Sequence, residues 1–129
     1  MKNIKNTIAI ILLLIVNNTK AQSIFSNTLL QNKTWIYEGS NMAATEIFNE
    51  TMLINSYTYN NKTAKIEELY YLSETMITEG NFEATKVGAS TVGKYIITPK
   101  SCYEIISLTD KNLIIRNVKQ NFNIYLFVK

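Results

Sequence analysis

Aromatic side chains are the residues of this chain with the clearest capacity for binding. The 129 residues include eight tyrosines, five phenylalanines and one tryptophan. An aromatic ring offers a large apolar surface and the tyrosine hydroxyl adds a polar group, so inward-facing rings would suit a small hydrophobic or amphipathic ligand. The alternative is that the same rings form the core or pair across strands. The candidate ligand-binding residues are Trp35, Tyr57, Tyr59, Tyr70, Phe82, Tyr95 and Tyr103.

The chain contains no histidine, which removes the commonest general base and the commonest metal ligand. A Ser-His-Asp arrangement is therefore impossible, and the single cysteine, Cys102, has no histidine partner for nucleophilic catalysis. Thiolate or imidazole zinc sites cannot be built either. We accordingly expect a protein that is not an enzyme and that carries neither a metal nor a cofactor. Cys102 is expected to be a buried thiol, with a reactive or dimer-forming thiol as the alternative.

Glutamates are the remaining source of acid-base chemistry. A converging pair could hydrolyse a glycoside, and a group of carboxylates could bind calcium. The five considered are Glu67, Glu68, Glu74, Glu83 and Glu104. Their spacing is diagnostic of neither site, and alternation along a strand places Glu67 and Glu68 on opposite faces and Glu104 on a solvated outer face. A carboxylate-based hydrolase is therefore the less favoured alternative.

Short runs rich in isoleucine, valine, threonine, tyrosine and phenylalanine follow one another after residue 33. Asparagine, glycine, serine, proline and lysine separate these runs and favour turns there. This pattern predicts β-strands. The clearest lie at 34–38, 51–59, 81–87, 93–98, 102–108, 113–118 and 123–128, with a weaker one at 45–48.

The segment 66–77 fits two structures, because its apolar residues match both helical spacing and the two-residue period of a strand. The adjacent Tyr70 and Tyr71 favour a strand, whereas a helix would make the fold α+β. With this segment included, about eight short strands use up the chain, and closing them into a barrel removes exposed edges. We therefore predict an all-β, small antiparallel up-and-down barrel at 33–129, preceded by an N-terminal arm at 22–32.

The first 21 residues have the pattern of a cleavable secretory signal helix. Lys2 and Lys5 precede an apolar run at 8–16, which is shorter than the roughly 20 residues that span a bilayer, and small residues precede Gln22. We expect export through the general secretory route to the periplasm or the extracellular space. No membrane association is expected after cleavage.

The net charge of +3 comes entirely from this leading segment. Removing Lys2, Lys5 and Lys20 leaves ten basic and ten acidic residues. A neutral mature domain lacks the basic surplus with which proteins bind polyanions, so we expect no nucleic-acid partner.

Several strands carry landmarks of a known family. They are Trp35 after Leu29-Leu30, the run Tyr70-Tyr71-Leu72-Ser73, Phe82 with Lys86-Val87-Gly88, Gly93-Lys94-Tyr95-Ile96, and 103–109 followed by Leu113-Ile114-Ile115. The pattern resembles small lipocalin-like proteins exported by Bacteroidetes-type bacteria, which implies a lipocalin-like barrel. Lys33 stands where lipocalins commonly place a glycine. The resemblance also implies a structural cation–π contact between Arg116, the one arginine, and Trp35, with a solvated arginine as the alternative.

These observations predict an exported, non-enzymatic, lipocalin-like protein that binds a small hydrophobic or amphipathic molecule inside its barrel. The alternative is an interaction or inhibitor module that meets a protein partner through its surface. Exposure of Tyr57 and Tyr59 in one apolar patch would favour that alternative. The sequence determines neither the ligand nor whether the barrel interior is hollow.

Overall fold

A computed structural model describes residues 23–129, and the predicted signal peptide at 1–21 lies outside the described residues. The described chain is almost entirely strand and turn. Two short 3-10 helices span Asn27–Leu29 and Ala84–Lys86. The strands are β1 Phe25–Ser26, β2 Trp35–Glu38, β3 Met42–Phe48, β4 Met52–Tyr59, β5 Lys62–Leu69, β6 Tyr71–Ser73, β7 Val92–Gly93, β8 Tyr95–Ile97, β9 Cys102–Leu108, β10 Asn112–Asn117 and β11 Phe122–Phe127.

Nine of the strands form one antiparallel sheet that curls into a nearly closed barrel. Its order is β5-β4-β3-β2-β11-β10-β9-β8-β6, while β1 and β7 form a separate pair. The two edge strands, β5 and β6, are consecutive in sequence and are divided only by Tyr70. The ring therefore closes through the chain itself and not through hydrogen bonds between its edges. The predicted all-β barrel is confirmed. About eight strands were expected and nine form the sheet, because the predicted strand at 81–87 is absent while the ambiguous segment contributes to two strands, β5 and β6.

The strand preference for the ambiguous segment is confirmed as far as Ser73. β5 pairs along its full length with β4, from Tyr59 opposite Lys62 to Met52 opposite Leu69, and β6 pairs with β8. The residues that follow, 74–77, belong to no strand. The barrel therefore needs the extended form of 62–73, which a helix would have broken.

The interior of the barrel is packed at one end. Its core consists of residues from nearly every strand together with Leu30 of the N-terminal arm: Leu30, Trp35, Phe48, Leu53, Tyr70, Leu72, Ile96, Ile105, Leu113, Ile115 and Leu126. The Trp35 indole N–H donates to the Leu30 carbonyl at 3.0 Å. The Tyr70 hydroxyl lies 2.8 Å from Asn27 Oδ1. The arm therefore closes this end of the barrel and supplies hydrogen-bond partners for polar atoms that would otherwise be buried without any.

The predicted strand at 81–87 is wrong. This segment lies outside the barrel and contains the 3-10 helix at Ala84–Lys86. Phe82 packs on Tyr71 with ring centroids 5.2 Å apart, and Tyr71 belongs to the outward set of β6. Gly80 and Gly88 flank the segment with φ of 88° and 74°, which turn the chain at both ends. Its apolar residues thus cover the outer face of β6, and its backbone pairs with no strand of the sheet.

The expected contact between Arg116 and Trp35 is not formed. Register places Arg116 opposite Glu104 and Asn123, on the outer face of the barrel, and its guanidinium forms an ion pair with Glu104. Lys33 holds its ammonium 5.5 Å from the Trp35 ring centroid instead. The residue that departs from the lipocalin pattern therefore supplies the cation.

Gly93 marks the tightest backbone approach in the fold. A Cβ at this position would lie 2.6 Å from the Ser73 backbone N and would also overlap the C and O atoms of that residue. We expect Gly93→Ala to lower the free energy of unfolding by about 2 kcal/mol or more, because the obstacle is backbone and cannot rotate away.

Urea denaturation at fixed pH measures this loss. Gly80→Ala is the matched control, since no atom lies within 4 Å of the position that its Cβ would take and only its φ of 88° opposes the change, at about 1 kcal/mol. Equal losses in the two variants would show that close packing at Gly93 is unimportant.

Candidate functional site

A cavity of about 260 Å³ occupies the end of the barrel that the core leaves unfilled. Residues from four strands line it, and apolar groups alternate with polar ones. They are Met42, Ala44 and Glu46 on β3, Leu53, Asn55 and Tyr57 on β4, Ile66 and Glu68 on β5, and Tyr103 on β9. The interior is thus packed at one end and hollow at the other.

Strand alternation and register place the lining side chains of β3, β4 and β5 on one wall. Ala44 lies opposite Tyr57, and Glu46 lies opposite Asn55. Asn55 in turn lies opposite Ile66, so β3, β4 and β5 present a continuous row at this level. Because successive side chains of a strand point to opposite faces, an inward orientation of one of these residues fixes the inward orientation of all the others.

The cavity opens along the free edge of β5. This strand pairs with β4 on one side only, and its other side ends the sheet. Ile66 therefore lines the cavity and is still 47% exposed, while Met42 at the rim is 39% exposed. A small molecule could enter here without disturbing the core.

Glu46 is the most unusual group of the cavity. Asn55 Nδ2 donates to its Oε1 at 3.3 Å. Its other oxygen, Oε2, is shielded from solvent and has no hydrogen-bond partner within residues 23–129. Burial raises the pKa of Glu46 from 4.5 to about 7, and the hydrogen bond from Asn55 only partly offsets this. The carboxyl group therefore changes its charge near neutral pH.

Tyr103 approaches the same cavity from the opposite side of the barrel. Burial raises the pKa of its hydroxyl, a hydrogen bond with Ser101 lowers it, and the charges of Glu46 and Glu68 raise it further. The influence of both carboxylates on one phenol indicates that the three groups share a single electrostatic environment. The cavity consequently combines an apolar body with two acidic groups.

The predicted aromatic residues separate into three groups. Tyr57 and Tyr103 line the cavity, whereas Tyr59, on the same face of β4 as Tyr57, is 52% exposed and is not part of the lining. Trp35 and Tyr70 are fully buried in the core of the packed end, where Tyr70 packs edge-on against Phe48 at 5.3 Å. Phe82 packs outside the barrel on Tyr71, and Tyr95 lies in the outward register of Glu104.

The polar residues of the cavity are not among the residues that the sequence pattern singles out. Spacing places Glu67 and Glu68 on opposite faces without deciding which of them points inward, and it gives Glu46 and Asn55 no distinction. A signal for Glu46 exists in the alternation of Ala44, Glu46 and Phe48, which predicts that a glutamate shares the face of a buried phenylalanine. As alternation predicts, Glu67 and Glu68 face opposite sides, with Glu68 inward, and Glu104 faces outward.

Cys102 lines a larger and less open cleft outside the barrel cavity. This cleft of about 440 Å³ lies between three loops, at 76–79, 98–102 and 117–120. Burial raises the pKa of the Cys102 thiol, and the charge of Glu104 adds to that effect, while a backbone hydrogen bond from Ile77 opposes it. A raised pKa suppresses the thiolate, which is the reactive form. The cleft offers no unpartnered buried polar group comparable to Glu46 Oε2.

Within residues 23–129, no cluster of three or more cysteine, aspartate or glutamate side chains is placed to hold a metal ion. The described part of the chain also has no helix of the length and apolar character needed to cross a membrane. Comparison with protein-family models, with curated proteins and with solved structures finds no match to this chain.

Proposed function

We propose that this protein is an exported, non-enzymatic binding protein that holds a small amphipathic molecule in the hollow end of its barrel. The observation that carries the proposal is the cavity itself, which is lined by alternating apolar and polar side chains and by a glutamate whose Oε2 has no partner among the described residues. Binding pockets typically combine a mainly apolar lining with a few polar groups that fix the orientation of the ligand.

The size of the cavity limits the ligand. Pockets for drug-sized molecules start at about 300 Å³, so a space of about 260 Å³ supports a smaller guest. Its volume corresponds to roughly nine water molecules of the bulk liquid. A single ring with a short polar arm, or a short alkyl chain, has suitable dimensions.

A larger side chain that fills the cavity should weaken ligand binding. We expect 2-phenylethanol to bind the mature protein with a Kd on the order of 1 mM or tighter, as small compact ligands of good efficiency do. Ala44→Phe places a ring between the walls, opposite Tyr57, and should weaken binding at least about tenfold. Chemical-shift titration by NMR measures both constants and locates the perturbed residues.

Ala43→Phe is the matched control, because Ala43 neighbours Ala44 on β3 but faces outward and is exposed. It should leave the Kd unchanged. Absence of shifts at cavity residues in the unaltered protein, or equal effects of the two substitutions, would contradict the proposed site.

A second candidate function is carboxylate-based hydrolysis. The observation that favours it is the sharing of one cavity by Glu46 and Glu68, since a carboxyl group with raised pKa beside a second carboxyl group is the arrangement of a general acid and its partner. Turnover of small 4-nitrophenyl glycosides that disappears in Glu46→Gln would support this function. A complete lack of turnover between pH 5 and 8 would remove it.

A further inference from the structure

The unpartnered oxygen of Glu46 restricts the chemistry of the guest. Resting on the proposed function, we propose that the ligand is a small organic ammonium compound whose cationic nitrogen pairs with the Glu46 carboxylate. An ammonium group supplies positive charge and up to three donors. Glu46 lines the cavity, and its Oε2, which is shielded from solvent, has no donor among the described residues.

The charge of the cavity favours the same ligand class. Glu46 and Glu68 both line it, and none of its nine described lining residues is a lysine or an arginine. Both carboxylates also act on Tyr103. A cationic head group is attracted by this environment, whereas a carboxylate or phosphate would be repelled and would leave Oε2 unpaired.

The apolar part of the guest has its own contacts. Tyr57 and Tyr103 approach from two walls, and Leu53, Ile66 and Met42 supply aliphatic surface. Tyrosine faces also attract cations, so the rings can support the ammonium as well as the body of the ligand. The combination fits an amine carrying one ring or a short chain.

The protonation of Glu46 predicts how binding depends on pH. The titratable side chains that face the cavity with Glu46 on β3 are Tyr57 on β4, Glu68 on β5 and Tyr103 on β9, and its cross-strand neighbours Trp35 and Asn55 do not titrate. Below pH 7 an incoming ammonium must displace the proton of Glu46. Kd should therefore rise about tenfold for each pH unit below 7 and level off above it.

Calorimetric titration of the mature protein with 2-phenylethylamine, 2-phenylethanol and phenylacetate tests the inference. At pH 8 we expect the amine to bind about ten- to a hundredfold tighter than the alcohol, as a hydrogen bond between charged groups does, and phenylacetate to bind most weakly. Glu46→Gln should reduce the amine to the affinity of the alcohol and remove the pH dependence. Glu67→Gln, on the outer face of β5, should leave the affinities of all three compounds unchanged.

Glu68→Gln separates the two acids, because it should keep the pH step near 7 while lowering amine affinity only modestly. If the pH step in Kd near 7 persists in Glu46→Gln and disappears in Glu68→Gln, Glu46 is not the group that binds the ammonium. If the alcohol binds and the amine gains nothing, the ammonium inference fails and the binding function stands. If neither compound binds at the cavity, the proposed function fails with it.

Discussion

Glu46→Gln should stabilise the protein by about 3 kcal/mol at pH 8 and leave its stability nearly unchanged at pH 4. Glutamine keeps the shape of the side chain and can accept the hydrogen bond from Asn55, which now reaches Glu46 Oε1. It removes only the capacity to become charged. The gain at pH 8 therefore measures the free energy that burial of the carboxylate costs.

The direction follows from the raised pKa. Glu46 has a pKa of about 7 in the folded protein against 4.5 for an unperturbed glutamate. Between these values the folded state holds a proton that the unfolded chain has lost, so the free energy of unfolding falls as the pH rises from 4.5 to 7. Above 7 the penalty is constant. A tenfold difference in acidity corresponds to about 1.4 kcal/mol, and the difference between the two pKa values gives the expected total.

Urea denaturation of both proteins at half-unit steps from pH 4 to 8.5 measures the effect. The quantity to plot is the difference between variant and parent, because other carboxyl groups contribute equally to both curves. Glu67→Gln is the control, since Glu67 lies on the outer face of β5 in an exposed ion pair with Lys65, and it should stay within about 0.5 kcal/mol of the parent. A difference curve for Glu46→Gln as flat as that control would contradict the burial of the carboxylate.

This stability cost connects the fold with the proposed function. A buried acid that weakens the folded state near neutral pH is unfavourable unless something compensates for its charge. A bound ammonium would do so, and its binding would stabilise the protein by mass action. The same substitution should thus raise the stability of the empty protein and lower its affinity for the amine, a conflict typical of binding sites.

The barrel was predictable because most of its strands carry their own local pattern. β-branched and aromatic residues between turn-forming residues defined β4, β9, β10 and β11 to within one or two residues. β3 was predicted too short, since Ala43 and Ala44 have no β preference and join the strand only by pairing with β4. The segment at 81–87 has strand composition, but its apolar residues cover an outer face.

The site was less predictable because it depends on which face of β3 points inward. Ile47 is more apolar than Glu46, so local sequence favours Ile47 as the buried residue. The structure shows the reverse, with Ile47 39% exposed and Glu46 lining the cavity. Pairing of β3 with Trp35 of β2 and with Leu53 of β4 sets that choice, because Phe48 must enter the core. Such a choice is made by contacts distant in sequence.

Trp35→Ala should lower the free energy of unfolding by about 4 kcal/mol, the range of large aromatic truncations in a closed core. Trp35 is fully buried in the packed end, where its side chain contacts the core and its N–H reaches the Leu30 carbonyl at 3.0 Å. Removing the ring would create a cavity and leave the Leu30 carbonyl without its hydrogen-bond donor. Since Trp35 is the one tryptophan of the chain, circular dichroism must follow unfolding in place of fluorescence.

Variants at the two neighbouring cations decide which of them supports Trp35. Lys33→Ala should cost about 0.5 to 1 kcal/mol, because the Lys33 ammonium lies 5.5 Å from the ring centroid of Trp35. Arg116→Ala should cost no more than about 1 kcal/mol, since it removes only a partly exposed ion pair with Glu104 on the outer face.

A double-mutant cycle should couple Lys33, but not Arg116, to Trp35. If Trp35→Ala does not fold, Trp35→Leu, which removes the aromatic face and keeps more of the apolar volume, serves in the same cycle. Coupling of Arg116 to Trp35 would restore the contact that the lipocalin resemblance implied and would contradict the outward register of Arg116 on β10.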